Sequence, residues 1–121
     1  MEDPETIARS YLQAWNETDP QHRDRLLAEH WSADARYVDP LMRGRGRQEI
    51  AQLIAGVQAR FPGFRFALDG QPTGYGGHVR FSWTLGPDGA EPPIKGSDVV
   101  ALQEGQIAQV IGFLDQVPET A

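Results

Sequence analysis

The sequence predicts an α+β domain, with helices in the first half of the chain and strands in the second. Two observations lead to this prediction. Up to about residue 61, apolar residues recur three and four positions apart, which is the spacing of a buried helix face. From residue 64 onward they alternate with polar residues, which is the period of a strand. We therefore expect one α+β domain over residues 1–121.

Three helices are predicted from their start signals and apolar faces. Asp3 can cap the first helix and Pro4 suits its first turn, and Asp19 and Pro20 repeat this pattern for the second. The third helix covers about residues 46–60 and ends at a Phe-Pro-Gly stop. The residues expected to face inward are Ile7, Ala8, Tyr11, Leu12, Trp15, Leu26, Leu27, Trp31, Ile50, Leu53, Ile54, Val57 and Phe61.

The strands are predicted to be one short segment at 34–38 and four longer ones after residue 64. The run "HVRFSWTL" places Phe81 and Trp83 on the same face. The glycine-rich "GQPTGYGG" leads into a strand rather than a helix, so it is expected to be a turn. The last two strands are joined at Glu104 and Gly105, a favourable hairpin turn.

Composition and charge limit the class of protein. The chain has 121 residues, of which 40% are hydrophobic and 23% charged, as in a globular domain with one core. Its net charge of -6 argues against nucleic acid and anionic membranes as partners. There is no cysteine, no apolar run approaching the roughly 18 residues of a membrane span and no apolar leader. We expect a cytoplasmic protein.

The final hairpin is apolar on both faces, as "DVVAL" and "QVIGFL" indicate. An antiparallel sheet with one wet face would alternate cleanly, so both faces of this hairpin are expected to be covered. Three helices cover only one side of such a sheet. A second copy of the chain is the simplest cover for the other side, and we expect a homodimer packed through the convex sheet face.

The order of helix, helix, strand ending in "YVDP", helix and bent sheet resembles the nuclear transport factor 2-like superfamily. Within it, the chain is most similar to the SnoaL-like polyketide cyclase and ketosteroid isomerase branch. The segments that carry the resemblance are "SYLQAWNETD", "ADARYVDPLMRGRGRQEI", "RFSWTLGPDG" and "GSDVVALQEGQIAQVIGFLD". The resemblance implies a cystatin-like cone, in which three N-terminal helices pack on the concave face of a strongly bent, mainly antiparallel sheet. It also implies a ligand cavity between the helices and the sheet.

The resemblance assigns roles to three polar residues. Asp39 matches the catalytic base of ketosteroid isomerases, although an aspartate before a proline by itself more simply shapes a turn. Tyr11 and Asp98 match the two isomerase groups that donate hydrogen bonds to the substrate oxygen. Without the resemblance, Tyr11 would be a core tyrosine and Asp98 a strand-start residue bonded to Ser97 or Thr84.

Two functions remain open at this point. The first is isomerase- or cyclase-like removal of a proton next to a carbonyl, without a cofactor, on a small apolar molecule. It requires Tyr11 and Asp98 to converge a few ångströms from Asp39 at a cavity open to solvent. The second is a ligand-binding or structural member of the same fold without chemistry, which a cavity filled by Trp15 and Trp83 would favour.

The substrate would be held mainly by apolar side chains, although such residues more often belong to a plain core than to a ligand site. The candidate contacts are Trp15, Met42, Phe61, Phe81, Trp83 and Phe113. The register of the last hairpin decides whether Phe113 or Leu114 faces the cavity.

The loop after Asp39 carries a basic patch of Arg43, Arg45 and Arg47. These arginines are either solvated or attract an anionic substituent of a ligand. Gly44 and Gly46 would give this loop the freedom to act as a lid.

Other chemistries find less support in the sequence. Three dispersed histidines without HExxH spacing predict no metal site. The epoxide hydrolases of the superfamily would need an arginine where this chain has Gly96, although Asp115 could supply their second acid.

Overall fold

A computed structural model describes residues 3–118, which form three helices and six strands. The predicted α+β class, the three helices and the cone are confirmed. The hairpin turn at Glu104 and Gly105 is also found. The elements are α1 (Pro4–Asn16), α2 (Pro20–His30), β1 (Trp31–Val38), β2 (Arg43–Arg45), α3 (Arg47–Arg60), β3 (Phe64–Tyr75), β4 (His78–Pro87), β5 (Ile94–Gln103) and β6 (Gln106–Gln116).

The six strands form one curved sheet in the order β2-β1-β6-β5-β4-β3. All neighbouring strands are antiparallel except β1 and β6, which run parallel. The helices cover one face, and β4 and β5 alternate between buried and less buried positions over most of their length. This alternation makes one side of the sheet the floor of the core. The inward residues of the two strands are Val79, Phe81, Trp83, Leu85, Ile94, Gly96, Asp98 and Val100.

The starts of α1 and α2 follow the predicted capping chemistry. The side chain of Asp3 accepts a hydrogen bond from the N–H of Thr6, and that of Asp19 accepts one from Gln21. Each cap is followed by a proline, whose fixed φ suits the first helical turn and which has no N–H to leave unpaired.

Within residues 3–118, no helix has the length and apolar character needed to cross a membrane.

Polar side chains fix the far end of α1 against its neighbours. Gln58 of α3 donates to the carbonyl oxygens of Trp15 (3.0 Å) and Glu17 (2.8 Å) and accepts from the buried Arg23 (2.7 Å). Asn16 binds the backbone of the edge strand β3, donating to the Phe66 carbonyl (2.9 Å) and accepting from its N–H (2.7 Å). Since helix-end carbonyls need such partners, α1 is held in one position over the sheet.

Two sequence predictions about the first strand were wrong. The strand begins at Trp31 rather than residue 34, so Trp31 caps the end of α2 instead of lying within it. Trp31 is nevertheless completely buried, as expected. Arg47 donates to the Trp31 carbonyl oxygen at 2.6 and 3.0 Å, which gives this oxygen a hydrogen-bond partner at the point where α2 changes to β1.

The proposed lid after Asp39 was also wrong, because the segment forms a strand. Arg43–Arg45 make up β2, which pairs with the end of β1 at the edge of the sheet. A methyl group on Gly44 would lie 3.0 Å from Leu53 of α3, so this glycine allows close packing rather than movement. The segment "GQPTGYGG" is likewise mostly strand, since β3 runs through Tyr75 and only the following two glycines turn the chain.

Candidate active site

Asp39 stands directly after β1 and does shape the turn that follows. Its Oδ1 accepts hydrogen bonds from the backbone N–H groups of Leu41 (2.8 Å) and Met42 (2.9 Å). Its own N–H donates to the Met42 carbonyl at 2.9 Å. The prediction that this aspartate shapes a turn is therefore correct for one of its two carboxylate oxygens.

The second oxygen of Asp39 is bound by a residue that the sequence analysis did not single out. The hydroxyl of Tyr37 donates to Asp39 Oδ2 at 2.7 Å. Tyr37 is 6% exposed and its ring lies 5.5 Å from that of Trp15. Because alternate residues of a strand point to the same side, the spacing of Tyr37 and Asp39 was a signal that they share a face.

Asp98 lies in the middle of β5 and is 2% exposed. Its Oδ1 has no hydrogen-bond partner within residues 3–118. Burial raises the pKa of this carboxyl to about 6; the nearby side chains of Tyr11 and Trp83 act in the opposite direction, and the charge of Asp39 adds to the increase. Asp98 is thus a carboxyl that changes protonation near neutral pH.

The proposed tie between Asp98 and Ser97 is not present. Ser97 donates to Asp115 at 2.6 Å and shares a hydrogen bond of 2.8 Å with Ser82. Ser97 is adjacent to Asp98 on β5 and so points to the opposite face of the sheet. The groups that interact with the buried Asp98 carboxyl must therefore lie in the interior, on the face covered by the helices.

Tyr11 projects from α1 into the same interior and is 2% exposed. Its ring packs edge-on against Phe81 at 5.1 Å and stacks on Trp31 at 5.5 Å. Burial, followed by the negative charge of Asp98, holds the pKa of Tyr11 well above its usual value. The hydroxyl therefore keeps its proton and remains a hydrogen-bond donor throughout the physiological range.

Asp39, Tyr37 and Asp98 all lie close to Gly112 of β6. This glycine pairs with Asp98 across the sheet. A methyl group on Gly112 would lie 2.9 Å from Asp98 Oδ1, 3.2 Å from Asp39 Cβ and 3.6 Å from Tyr37 Oη. Asp39 and Asp98 are 59 positions apart in the sequence, and the structure brings them together around a position that has no side chain.

Aromatic rings surround this meeting point. Trp15 is 3% exposed and Trp83 is 8% exposed, and both pack against Phe66, at 5.6 and 5.2 Å respectively. The ring of Trp83 lies directly over Gly96, leaving no room there for a side chain. An epoxide hydrolase of the superfamily would need an arginine at this position. The chain has glycine there, and an arginine side chain would collide with Trp83.

The remaining candidate contacts differ in where they lie. Phe81 is buried in the interior, whereas Met42 and Phe61 are half-buried and pack against the edge of the core. Phe113 is 53% exposed and pairs with Ser97, which places it on the outer face. Leu114 takes the inward position opposite Gly96, so the structure does not bring Phe113 to the site.

The basic patch after Asp39 is largely committed to structural contacts. Arg45 forms a two-pronged pair with Asp34 at 2.8 and 3.0 Å. Arg47 binds the carbonyl oxygens of Ala28 and Trp31. Two of the three arginines are thus occupied by contacts within the chain.

An open groove of about 720 Å³ lies elsewhere, between α1 and β3. Its lining includes Arg9, Gln13, Asn16 and Arg65, and mostly polar atoms face it. It contains none of the three residues that the resemblance assigns to chemistry. The convergent polar groups around Gly112 lie in the interior and not in this groove. Among residues 3–118, no three histidine or acidic side chains are grouped closely enough to hold a metal ion.

With the fold and the geometry established, comparison with known proteins identifies the family. The SnoaL-like domain matches residues 8–110, so the chain belongs to the SnoaL-like family. A crystal structure from Agrobacterium tumefaciens C58, described as a candidate isomerase of that family, is 47% identical. It covers 95% of this chain and 99% of its own, with a TM-score of 0.91. A comparison with curated proteins found no significant match.

More distant structures share the fold alone. A candidate ketosteroid isomerase from Kribbella flavida is 18% identical over 96% of this chain and 80% of its own, with a TM-score of 0.70. A candidate SnoaL-like polyketide cyclase from Jannaschia sp. CCS1 is 15% identical over 95% and 89%, with a TM-score of 0.71. The resemblance stated from the sequence is therefore confirmed for the family and the cone.

Proposed function

We propose that the protein is an enzyme that removes a proton next to the carbonyl of a small, largely apolar molecule bound inside the cone. Asp39 is the base, and Tyr11 and Asp98 donate hydrogen bonds to the oxygen on which negative charge develops. The observation that carries the proposal is the convergence of Asp39, Tyr37 and Asp98 on Gly112. The similarity to a candidate isomerase of the same family, at 47% identity, supports it.

The hydrogen bonds of Asp39 are compatible with a base. A carboxylate has about four acceptor positions on its two oxygens. In Asp39, two backbone N–H groups use Oδ1 and Tyr37 uses one position on Oδ2. Oδ2 therefore keeps a lone pair for a proton, while the other contacts fix the direction in which the carboxylate points.

Tyr11 and Asp98 supply the other half of the chemistry. Removal of the proton leaves an enolate, whose oxygen is stabilised by donors already in place in a dry interior. Tyr11 is always protonated, as its raised pKa requires. Asp98 donates only in its acid form, and with a pKa of about 6 that form is lost as the pH rises. Turnover is therefore expected to fall on the alkaline side of pH 6.

The second candidate function is ligand binding or a structural role without chemistry. The observation in its favour is the burial of Trp15 and Trp83, whose rings fill much of the space between α1 and the sheet. A ligand must then displace at least one ring. The two functions differ in what they require of Asp39, since only the enzyme needs its free lone pair.

Hydrogen exchange next to a carbonyl tests the proposal even though the natural substrate is unknown. The protein is incubated in heavy water with a panel of small cyclic ketones, and deuterium uptake is followed by mass spectrometry. Asp39→Asn should slow the exchange by about a hundredfold or more. Asp34→Asn, which removes only an exposed ion pair with Arg45, is the matched control and should keep the wild-type rate. Exchange that is equally fast in Asp39→Asn, or never accelerated by the wild type, contradicts the proposal.

We also propose that two copies pair through the convex face of the sheet. Val38, Ile111 and Phe113 are apolar, 39 to 53% exposed, and lie on that face. Ile111 stands opposite both Val38 of β1 and Val99 of β5, which makes the apolar surface continuous across three strands. An exposed continuous patch of this kind is typical of an interface.

A cytoplasmic location stays a prediction from the sequence.

A further inference from the structure

Three buried polar atoms in the interior have no hydrogen-bond partner within residues 3–118. They are Asp98 Oδ1 and the indole nitrogens of Trp15 and Trp31. Buried polar groups are almost always paired, because an unpaired group loses its bonds to water and gains nothing in return. Each of these atoms therefore needs an explanation, and a ligand oxygen is one that also fits the proposed function.

Trp15 differs from Trp31 in its relation to the site. Trp15 follows Tyr11 by four residues on α1, so both side chains point to the same side of the helix. Its ring lies 6.2 Å from that of Tyr11 and 5.5 Å from that of Tyr37. Trp15 thus stands between the two tyrosines that reach Asp98 and Asp39.

The rings of Trp15 and Tyr11 are neighbours, and the buried indole N–H of Trp15 has no hydrogen-bond partner within residues 3–118. Tyr11 is buried beside Asp98, which raises its pKa, and the nearby Trp15 N–H acts in the opposite direction. A donor so placed is available to an acceptor that arrives next to Tyr11.

We propose that the Trp15 indole N–H donates to the ligand's oxygen together with the Tyr11 hydroxyl. This inference rests on the proposed function and narrows its substrate class to planar molecules with an enolate- or phenolate-like oxygen. Such an oxygen carries more than one lone pair and can accept from both donors at once. The flat rings of Phe66 and Trp83 pack together beside this position, so a ligand that displaces one of them fits best if it is itself planar.

The test uses para-nitrophenol as the probe, because its phenolate oxygen sits on a flat ring and its ionisation is visible by absorbance. We expect the wild type to bind the probe and Trp15→Phe to bind it roughly tenfold or more weakly, as for loss of one hydrogen bond to a charged group. Trp31→Phe is the matched control, since it removes the other unpaired indole N–H and should stay closer to the wild type. Equal affinities for the two variants, or no binding by the wild type, overturn the inference.

A spectroscopic measurement covers the case in which Trp15→Phe folds poorly. In isotope-labelled wild-type protein, the indole N–H resonance of Trp15 should move downfield on addition of the probe while that of Trp31 stays in place. Failure of the proton-transfer proposal is distinguishable from failure of this one. Asp39→Asn should retain probe binding although it loses exchange activity, and wild-type binding without any exchange would contradict only the catalytic proposal.

Discussion

The hydroxyl of Tyr37 donates to Oδ2 of Asp39 at 2.7 Å, from a position two residues earlier on the same strand face. This bond links a buried aromatic residue to a half-buried carboxylate at the end of β1. Backbone N–H groups already hold the other oxygen. The carboxylate is thus restrained on both sides, and such restraint is what a base needs to meet a substrate in a reproducible direction.

Tyr37→Phe tests that restraint. The substitution keeps the ring against Trp15 but removes the donor to Asp39. We expect a loss of about 1.5 kcal/mol in the free energy of unfolding, measured in urea, because the bond is to a charged group. Deuterium exchange into the ketone panel should also slow, since the base is less well oriented. Tyr75→Phe, at a tyrosine that is 84% exposed, is the control and should change neither quantity.

Gly112→Ala tests the convergence of Asp39 and Asp98 on Gly112. The added methyl would lie 2.9 Å from Asp98 Oδ1, closer than real contacts of this kind, so the carboxyl or the strand must shift. Such overpacking should destabilise the fold by about 1 to 3 kcal/mol in urea unfolding and reduce activity.

Gly56→Ala is the matched control for this change. Gly56 is exposed in α3, and a methyl group there meets nothing within 4 Å. Alanine is the better helix former, so this variant should gain about 0.5 to 1 kcal/mol in stability. Equal effects of the two substitutions would contradict the crowded geometry around Gly112.

The helices could be predicted because their signals are local. Asp3 and Asp19 cap the helices that the sequence assigned to them, and each is followed by a proline. Trp31 was placed on the wrong element for an equally local reason. It falls four residues after Leu27, so helical spacing continues one step past the last helical residue.

The site was predictable only in part. The resemblance supplied Tyr11, Asp39 and Asp98, but the partnership of Asp98 with Gly112 depends on the register of β5 and β6. That register contains two irregularities, one between Lys95 and Gly96 and one between Ala101 and Leu102. A bulge moves every later side chain to the opposite face, so sequence alternation alone could not decide between Phe113 and Leu114.

Ile111→Glu tests the proposed pairing through the convex face. Ile111 is 39% exposed at the centre of the apolar patch, and a charge there would be buried in an interface without a partner. We expect the wild type to sediment as a dimer at micromolar concentration and the variant as a monomer. Leu41→Glu, at a leucine that is 78% exposed outside the β-strands, should leave the dimer intact. A wild type that sediments as a monomer contradicts the pairing.

Asp98→Asn tests the buried carboxyl through the pH dependence of stability. Burial raises the pKa of Asp98 from 3.8 to about 6, so folding favours the protonated form. The associated stability is fully present below the unfolded-state pKa and is lost as the pH rises through about 6. A shift of about two units corresponds to about 3 kcal/mol, an upper value for the loss in the wild type by pH 8.

An asparagine at this position keeps the shape of the side chain but cannot ionise. The variant should therefore unfold at higher urea than the wild type at pH 8, and the advantage should shrink as the pH falls toward 4, where Asp98 is neutral in the wild type too. The variant should nevertheless be less active than the wild type at pH 6, because the amide is a weaker donor than the acid to a developing oxyanion. Unfolding curves in which the variant and the wild type differ equally at both pH values would show that folding does not raise the pKa of Asp98, so that the carboxyl is ionised at neutral pH. The site would then lack the neutral acid that the proposed chemistry requires.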